Sequence, residues 1–104
     1  MKNMQDMLEK AKEMQQKFSQ IQQEMEDRTA EGTSGGGMVT AVVNGKGRIV
    51  SLVIDPEIVD KNDIEMLQDM IIAGVNKALE NSQDMVNDEV KKVSGNIDIT
   101  KLFK

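Results

Sequence analysis

The fold of this chain is decided by the stretch Gly35-Gly-Gly-Met-Val-Thr-Ala-Val-Val-Asn-Gly-Lys-Gly-Arg-Ile-Val-Ser-Leu-Val-Ile54. It contains two runs rich in β-branched residues, 38–44 and 48–54, which meet at Asn44-Gly45. Asn-Gly is a strong hairpin signal because a type I′ turn needs positive φ at both of its central residues. The stretch therefore predicts two antiparallel strands joined by a tight turn.

Helix-breaking residues bound this hairpin on both sides. Four of the seven residues in 31–37 are glycine, so no helix continues through that segment. Asp55-Pro56 ends the second strand, since proline cannot donate a hydrogen bond to a sheet. With a short edge strand over 29–33, residues 29–55 are predicted to form a three-stranded antiparallel meander. So small a sheet needs a cover.

Residues 3–27, within the N-terminal segment 1–28, read as one long helix. Its apolar residues alternate three and four apart, and no Gly or Pro interrupts them. These heptad residues are Met4, Met7, Ala11, Met14, Phe18, Ile21 and Met25. A helix of this length, about 38 Å, is too long for its own sheet, so we expect part of it to project. Two pairs spaced i,i+4, Asp6 with Lys10 and Glu13 with Lys17, are expected to support it.

A second helix is predicted over 63–93. Asn62 is a candidate N-cap, and Glu65 is placed to complete a capping box. Apolar residues occur almost all round this helix between Ile64 and Leu79, which is typical of a helix buried on more than one side. A bend near Asn81-Ser82 is only weakly indicated. A tail, 96–104, carries Ile97, Ile99, Leu102 and Phe103, which are candidates to dock on the body.

These elements predict a single α+β domain over 1–104 with the order α-β-β-β-α. One copy has more apolar helix than its small sheet can cover, so we expect a homodimer that buries roughly 2,000 Å² or more. The small residues Gly74 and Ala78 would permit close helix approach. The predicted interface residues are Ile64, Leu67, Ile71, Gly74, Val75 and Ala78.

Composition excludes several kinds of chemistry. The 104 residues include no Cys, His, Trp or Tyr, which removes thiolate and imidazole chemistry and most base-stacking material. The glycine cluster follows a helix and precedes a strand, the reverse of a phosphate-binding loop. The acidic clusters lack the spacing of a calcium loop. We therefore expect no enzyme activity, no cofactor, no metal and no small-molecule substrate. No apolar run suits a signal peptide or a membrane span, so we expect a cytoplasmic protein without a membrane partner.

The basic residues leave two interpretations open. The net charge of −5 argues against nucleic acid when it is taken alone. Lys10 and Lys17 nevertheless flank the heptad seam, and Lys91 and Lys92 lie near the end of the second helix. They are either solubilising charges or separated basic spots that would double in a dimer and straddle a duplex.

Several motifs in order resemble one family. The heptad helix with Lys10-Ala11 and Met14-Gln15 is followed by Gly32, by Gly35-Gly36-Gly37-Met38-Val39, by Asn44-Gly45 and by Ile54-Asp55-Pro56. Together they closely resemble the YbaB/EbfC family of nucleoid-associated proteins over nearly the whole chain.

The resemblance implies an α-β-β-β-α chain in a tweezer-like homodimer. It also implies binding of double-stranded DNA at the nucleoid, with effects on DNA conformation and gene expression. DNA contacts in the family involve the terminal helices, which assigns them here to Lys10, Lys17, Lys91 and Lys92. Sequence preference is expected to be weak, because nothing resembles a groove-reading helix. The alternative is a dimeric protein-interaction scaffold that does not bind DNA.

Overall fold

The structure, a computed structural model, describes residues 3–93. Helix α1 spans Met4–Asp27 and helix α2 spans Ile64–Val93. Between them lie the strands β1 (Thr29–Ser34), β2 (Val39–Asn44) and β3 (Ile49–Ile54). The predicted α-β-β-β-α order is confirmed. The tail 96–104, with its predicted docking residues, lies outside the described residues.

The three strands form one antiparallel sheet in the order β1-β2-β3. Its hairpin is where predicted, but the predicted type I′ turn is wrong. Positive φ occurs at Gly47 (+80°) and at neither Asn44 nor Gly45. The Asn44 side-chain oxygen instead accepts hydrogen bonds from the backbone N–H groups of Lys46 (3.0 Å) and Arg48 (3.1 Å). An Asx-type turn therefore replaces the two-residue loop.

Gly45 has a different role, which the sequence pattern did not reveal. Its N–H donates to the backbone carbonyls of Met25 (2.8 Å) and Arg28 (3.1 Å) at the end of α1. A Cβ at this position would overlap Met25. The glycine thus allows the hairpin to contact the helix end directly, and it anchors α1 to the sheet.

Helix α2 covers one face of the sheet, where it packs on β1 and β2. The buried core between helix and sheet is formed by Ala41 and Val43 of β2 and Ala78 of α2. The helix is continuous from Ile64 to Val93, so it is not interrupted near residues 81–82, where a bend was weakly indicated. There the Ser82 hydroxyl donates to the carbonyl of Asn44 at 2.8 Å.

The start of α2 differs from the prediction by one residue. The Asp63 carboxylate, and not the Asn62 side chain, accepts a hydrogen bond from the backbone N–H of Met66 at 3.1 Å. Asp63 therefore occupies the capping position, where its negative charge also complements the helix dipole.

Only the second half of α1 packs on the body. Ile21 and Met25 are buried, whereas Met4, Met7 and Leu8 are 76%, 67% and 58% exposed. The molecule is elongated, 71 × 28 × 17 Å. The first half of α1 is therefore a projecting arm, and within residues 3–93 its heptad seam has no partner helix.

Candidate nucleic-acid interface

Two of the predicted DNA-contacting residues, Lys10 and Lys17, lie on α1 and are exposed. The expected i,i+4 pairs with Asp6 and Glu13 do not form: in the part of the chain that the structure describes, neither lysine has an ion-pair partner. Both ammonium groups are therefore available to an external anion.

The other two predicted residues, Lys91 and Lys92, lie in the last turn of α2. Lys92 is not free, because its Nζ lies 3.0 Å from Oε1 of Glu89. The same oxygen accepts a hydrogen bond from Nη1 of Arg28 at 2.6 Å. These three residues form a cluster that links the end of α1 to the end of α2, hereafter the Glu89 cluster.

Arg28 is the residue of this region that sequence reasoning did not select. The Glu89–Lys92 pair is readable as an i,i+3 spacing, but Arg28 is 61 residues away from Glu89. No local pattern signals that contact, since it depends on how α1 and α2 pack.

The carboxylates that pair with these cations have altered acidities. Hydrogen bonds from Lys92, which has the larger effect, and from Arg28 hold the pKa of Glu89 below its ordinary value. A hydrogen bond from Lys46, at 2.7 Å, lowers the pKa of Glu26 in the same way. Both carboxylates therefore stay ionised at neutral pH and compete with any external anion for their cations.

The structure arranges the four predicted lysines along two helices that meet. Phe18 of α1 and Val90 of α2 line a common groove, and Lys17 and Lys91 are their neighbours in sequence. Lys10 lies two helical turns further along the arm. The lysines thus extend from the helix junction outward. Their contact with DNA stays a prediction.

The six predicted interface residues divide into two groups. Ala78 is fully buried, and Gly74 backs onto Val39 of β2, so both pack against this chain's own sheet. Ile64 is 46% exposed, and Leu67, Ile71 and Val75 are half-buried. Contact of these residues with a second copy stays a prediction. It applies to Ile64, Leu67, Ile71 and Val75, which have exposed surface.

Strand β3 is a further apolar surface that sequence reasoning assigned only to the sheet. Its side chains Ile49, Val50, Leu52 and Val53 are 55%, 59%, 40% and 63% exposed. The strand lies at the sheet edge, beyond the part that α2 covers. Alternation of polar and apolar residues would have indicated that one side of the strand faces solvent. The strand sequence IVSLVI instead places apolar residues on both sides.

Other kinds of site are poorly represented in residues 3–93. That range holds no group of three His, Cys, Asp or Glu side chains placed to bind a metal ion. Nor is either helix, over its described length, long and apolar enough to cross a membrane. The described helices carry exposed lysine side chains, and such cations suit the binding of an extended anion.

Comparison with known proteins finds similar chains over nearly the whole length. The profile of the YbaB/EbfC DNA-binding family matches residues 1–97. A nucleoid-associated protein of Pelotomaculum thermopropionicum is 48% identical, over 97% of this chain and 96% of its own. One of Caldanaerobacter subterraneus subsp. tengcongensis is 46% identical, over 97% and 91%.

A solved structure shares the fold. An uncharacterized protein from Helicobacter pylori superposes with a TM-score of 0.61 at 29% identity, over 84% of this chain and 96% of its own. The family match and the two relatives cover nearly every residue of the elements described above. This chain therefore belongs to the YbaB/EbfC DNA-binding family.

Proposed function

We propose that this protein is a non-enzymatic, nucleoid-associated protein of the bacterial cytoplasm. It binds duplex DNA as a homodimer with weak sequence preference, changes the conformation of the DNA, and thereby affects gene expression. The observation that carries the proposal is the projecting arm, on which Lys10 and Lys17 are exposed and unpaired within residues 3–93. Family membership and the names of the relatives support DNA as the ligand.

The spacing of the arm lysines suits a DNA backbone. Lys10 and Lys17 are seven residues apart on one helix, which separates their Cα atoms by about 10 Å. Phosphates follow one another at about 3.4 Å along the axis of one strand, so this distance spans about three nucleotides. Contacts of this kind position a protein on DNA without reading its sequence, which is why we expect weak preference.

The homodimer is supported by the uncovered apolar surface between α2 and β3. Leu52 pairs with Ala41, so its side chain emerges on the face that α2 covers over β1 and β2. It is nevertheless 40% exposed, because α2 packs mainly on β1 and β2. On the α2 side, Ile64 and Ile72 are 46% and 56% exposed. An exposed apolar surface of this kind, running from α2 to β3, is typical of a protein–protein contact site.

A second copy is the occupant that we propose for this surface, because both of its parts are apolar and exposed. A two-fold axis beside β3 lets each α2 cover the β3 of the other copy, so that one kind of contact is made twice. The lysine-bearing arms then project from a common body. Such a dimer doubles the number of phosphate contacts, which partly offsets the net charge of −5 per chain.

The test is a DNA-binding titration with a duplex of arbitrary sequence at about 50 and about 200 mM salt. Replacement of both Lys10 and Lys17 by Glu should weaken binding at least tenfold and flatten its salt dependence. The control is Lys61→Glu, which changes an exposed lysine in the loop before α2 that has no ion-pair partner within residues 3–93. An arm variant that binds like the control would remove the arm from the site, and absence of binding at low salt would contradict the function.

The second candidate function, a protein-interaction scaffold, is favoured by one observation. Met4, Met7 and Leu8 leave an apolar stripe on the arm that DNA does not require. A chain that forms dimers but binds no DNA at low salt would support this function over the first.

A further inference from the structure

The Glu89 cluster holds two cations around one carboxylate oxygen at the point where α1 and α2 meet. Nη1 of Arg28 lies 2.6 Å from Oε1 of Glu89, and Nζ of Lys92 lies 3.0 Å from the same atom. Glu89 is partly covered, with 19% of its side chain exposed, while Arg28 and Lys92 are 48% and 72% exposed. The carboxylate is thus less exposed than the two cations that pair with it.

This arrangement has the donor geometry of an anion site that is already filled from within. A guanidinium and an ammonium that converge on one oxygen make charge-assisted hydrogen bonds of the kind that also bind phosphate. Lys91 lines the same shallow depression as Arg28 and Lys92. The depression also contains Asp84 and Asp88, so the carboxylates balance the cations as long as Glu89 is ionised.

We propose that the Glu89 cluster is a latent phosphate-binding site for the DNA backbone, in which the Glu89 carboxylate competes with the phosphodiester for Arg28 and Lys92. This inference rests on the proposed DNA binding and adds Arg28 to its contacts. A phosphodiester carries one negative charge and offers two acceptor oxygens, as the carboxylate does. Replacement of the Glu89 carboxylate by a phosphodiester therefore gains little binding free energy. In the wild-type protein the cluster accordingly adds little to the affinity for DNA.

The decisive variant is Glu89→Gln, which removes the charge and nearly preserves the shape of the side chain. Arg28 and Lys92 then lose their internal anion and become available to DNA. Each additional phosphate contact should steepen the loss of affinity between 50 and 200 mM salt by about three- to fourfold. We therefore expect the full-length variant to bind the same duplex more tightly than the wild type at low salt and to show a steeper salt dependence.

The matched control is Glu80→Gln. Glu80 lies on the same helix, carries the same charge and pairs with Lys77 at 3.8 Å, outside the cluster. It therefore reports what the loss of one negative charge, with the release of a single loosely paired lysine, does outside the cluster. In the Glu89→Gln background, Arg28→Ala should remove most of the gain, which a general electrostatic effect would not predict. Circular dichroism at the assay temperature shows whether the helices persist; if Glu89→Gln unfolds, Glu89→Ala replaces it because alanine favours helix most.

The outcomes separate this inference from the proposed function. Binding by the wild type together with equal affinities and salt slopes for Glu89→Gln and Glu80→Gln would overturn the latent site and leave DNA binding intact. A gain that survives Arg28→Ala would equally overturn the role of the cluster. Failure of the wild type and of every variant to bind at low salt would overturn both proposals.

Discussion

Gly32 of β1 lies directly against the backbone of Ala78 in α2. A Cβ at position 32 would overlap the backbone nitrogen of Ala78, and it would also collide with the carbonyl oxygen of Gly74. Backbone atoms cannot swing aside as the end of a flexible side chain can. This contact therefore determines how closely α2 approaches the sheet, and with it which apolar residues remain at the surface.

Replacement of Gly32 by alanine should destabilise the fold by about 1–3 kcal/mol, because α2 must move away from β1 to accommodate the methyl group. Urea or guanidinium unfolding at fixed protein concentration measures the change in the free energy of unfolding. Thr33→Ala, which alters the exposed neighbour on the same strand, is the control and should cost less than about 1 kcal/mol. Equal costs for the two variants would show that the close approach carries no energetic weight.

The anchoring of α1 is tested by two equal substitutions at different ends of the helix. Met25 is 2% exposed and Met7 is 67% exposed. Met25→Ala should cost about 2–5 kcal/mol, since it leaves a cavity beneath the hairpin. Met7→Ala should change the free energy of unfolding by less than about 0.5 kcal/mol. Thermal unfolding of both variants provides the comparison, and a large effect at Met7 would mean that the arm is covered in solution.

The proposed dimer depends on apolar side chains of β3 and α2. Leu52→Glu and Ile72→Glu each place a charge in the apolar surface between the two elements and should shift the assembly toward monomers. Sedimentation velocity over a range of micromolar concentrations measures this. Met7→Glu introduces the same charge on the arm and should leave the dimer intact. Dissociation by Met7→Glu alone would transfer the interface to the heptad seam.

Acidification should weaken the link between α1 and α2. The hydrogen bonds from Lys92 and Arg28 hold the pKa of Glu89 below its value in the unfolded chain. The unfolded state therefore binds more protons than the native state as pH falls through this range, and stability falls with it. The contribution of Glu89 is fully present above its unfolded pKa and is lost as pH drops through the lowered native value.

The stability difference between the wild type and Glu89→Gln reports this contribution. We expect the difference to be largest near neutral pH and to shrink between about pH 5 and pH 3. Unfolding curves at half-unit pH steps measure it, with Glu80→Gln as the control. A difference that stays constant down to pH 3 would show that the ion pairs of Glu89 do not stabilise the native state.

The regular elements were largely predictable from local patterns. The heptad spacing predicted a helix over 3–27, and the structure has it over Met4–Asp27. The β-branched runs predicted strands within two residues of their observed bounds. The turn was predicted less well, because the Asn44 side chain accepts hydrogen bonds from the loop backbone and Gly45 donates its N–H to the end of α1. That contact joins segments far apart in the chain.

The candidate site shows the same division. Sequence alone determined the order of the elements, the long heptad helix and which residues carry positive charge, because spacing and residue type depend on near neighbours. Only the tertiary structure decided that Lys10 and Lys17 are unpaired within residues 3–93 while Glu89 holds Lys92 and Arg28, and that α2 packs mainly on β1 and β2. Those features arise from helix packing and sheet order, which bring together groups up to 61 residues apart.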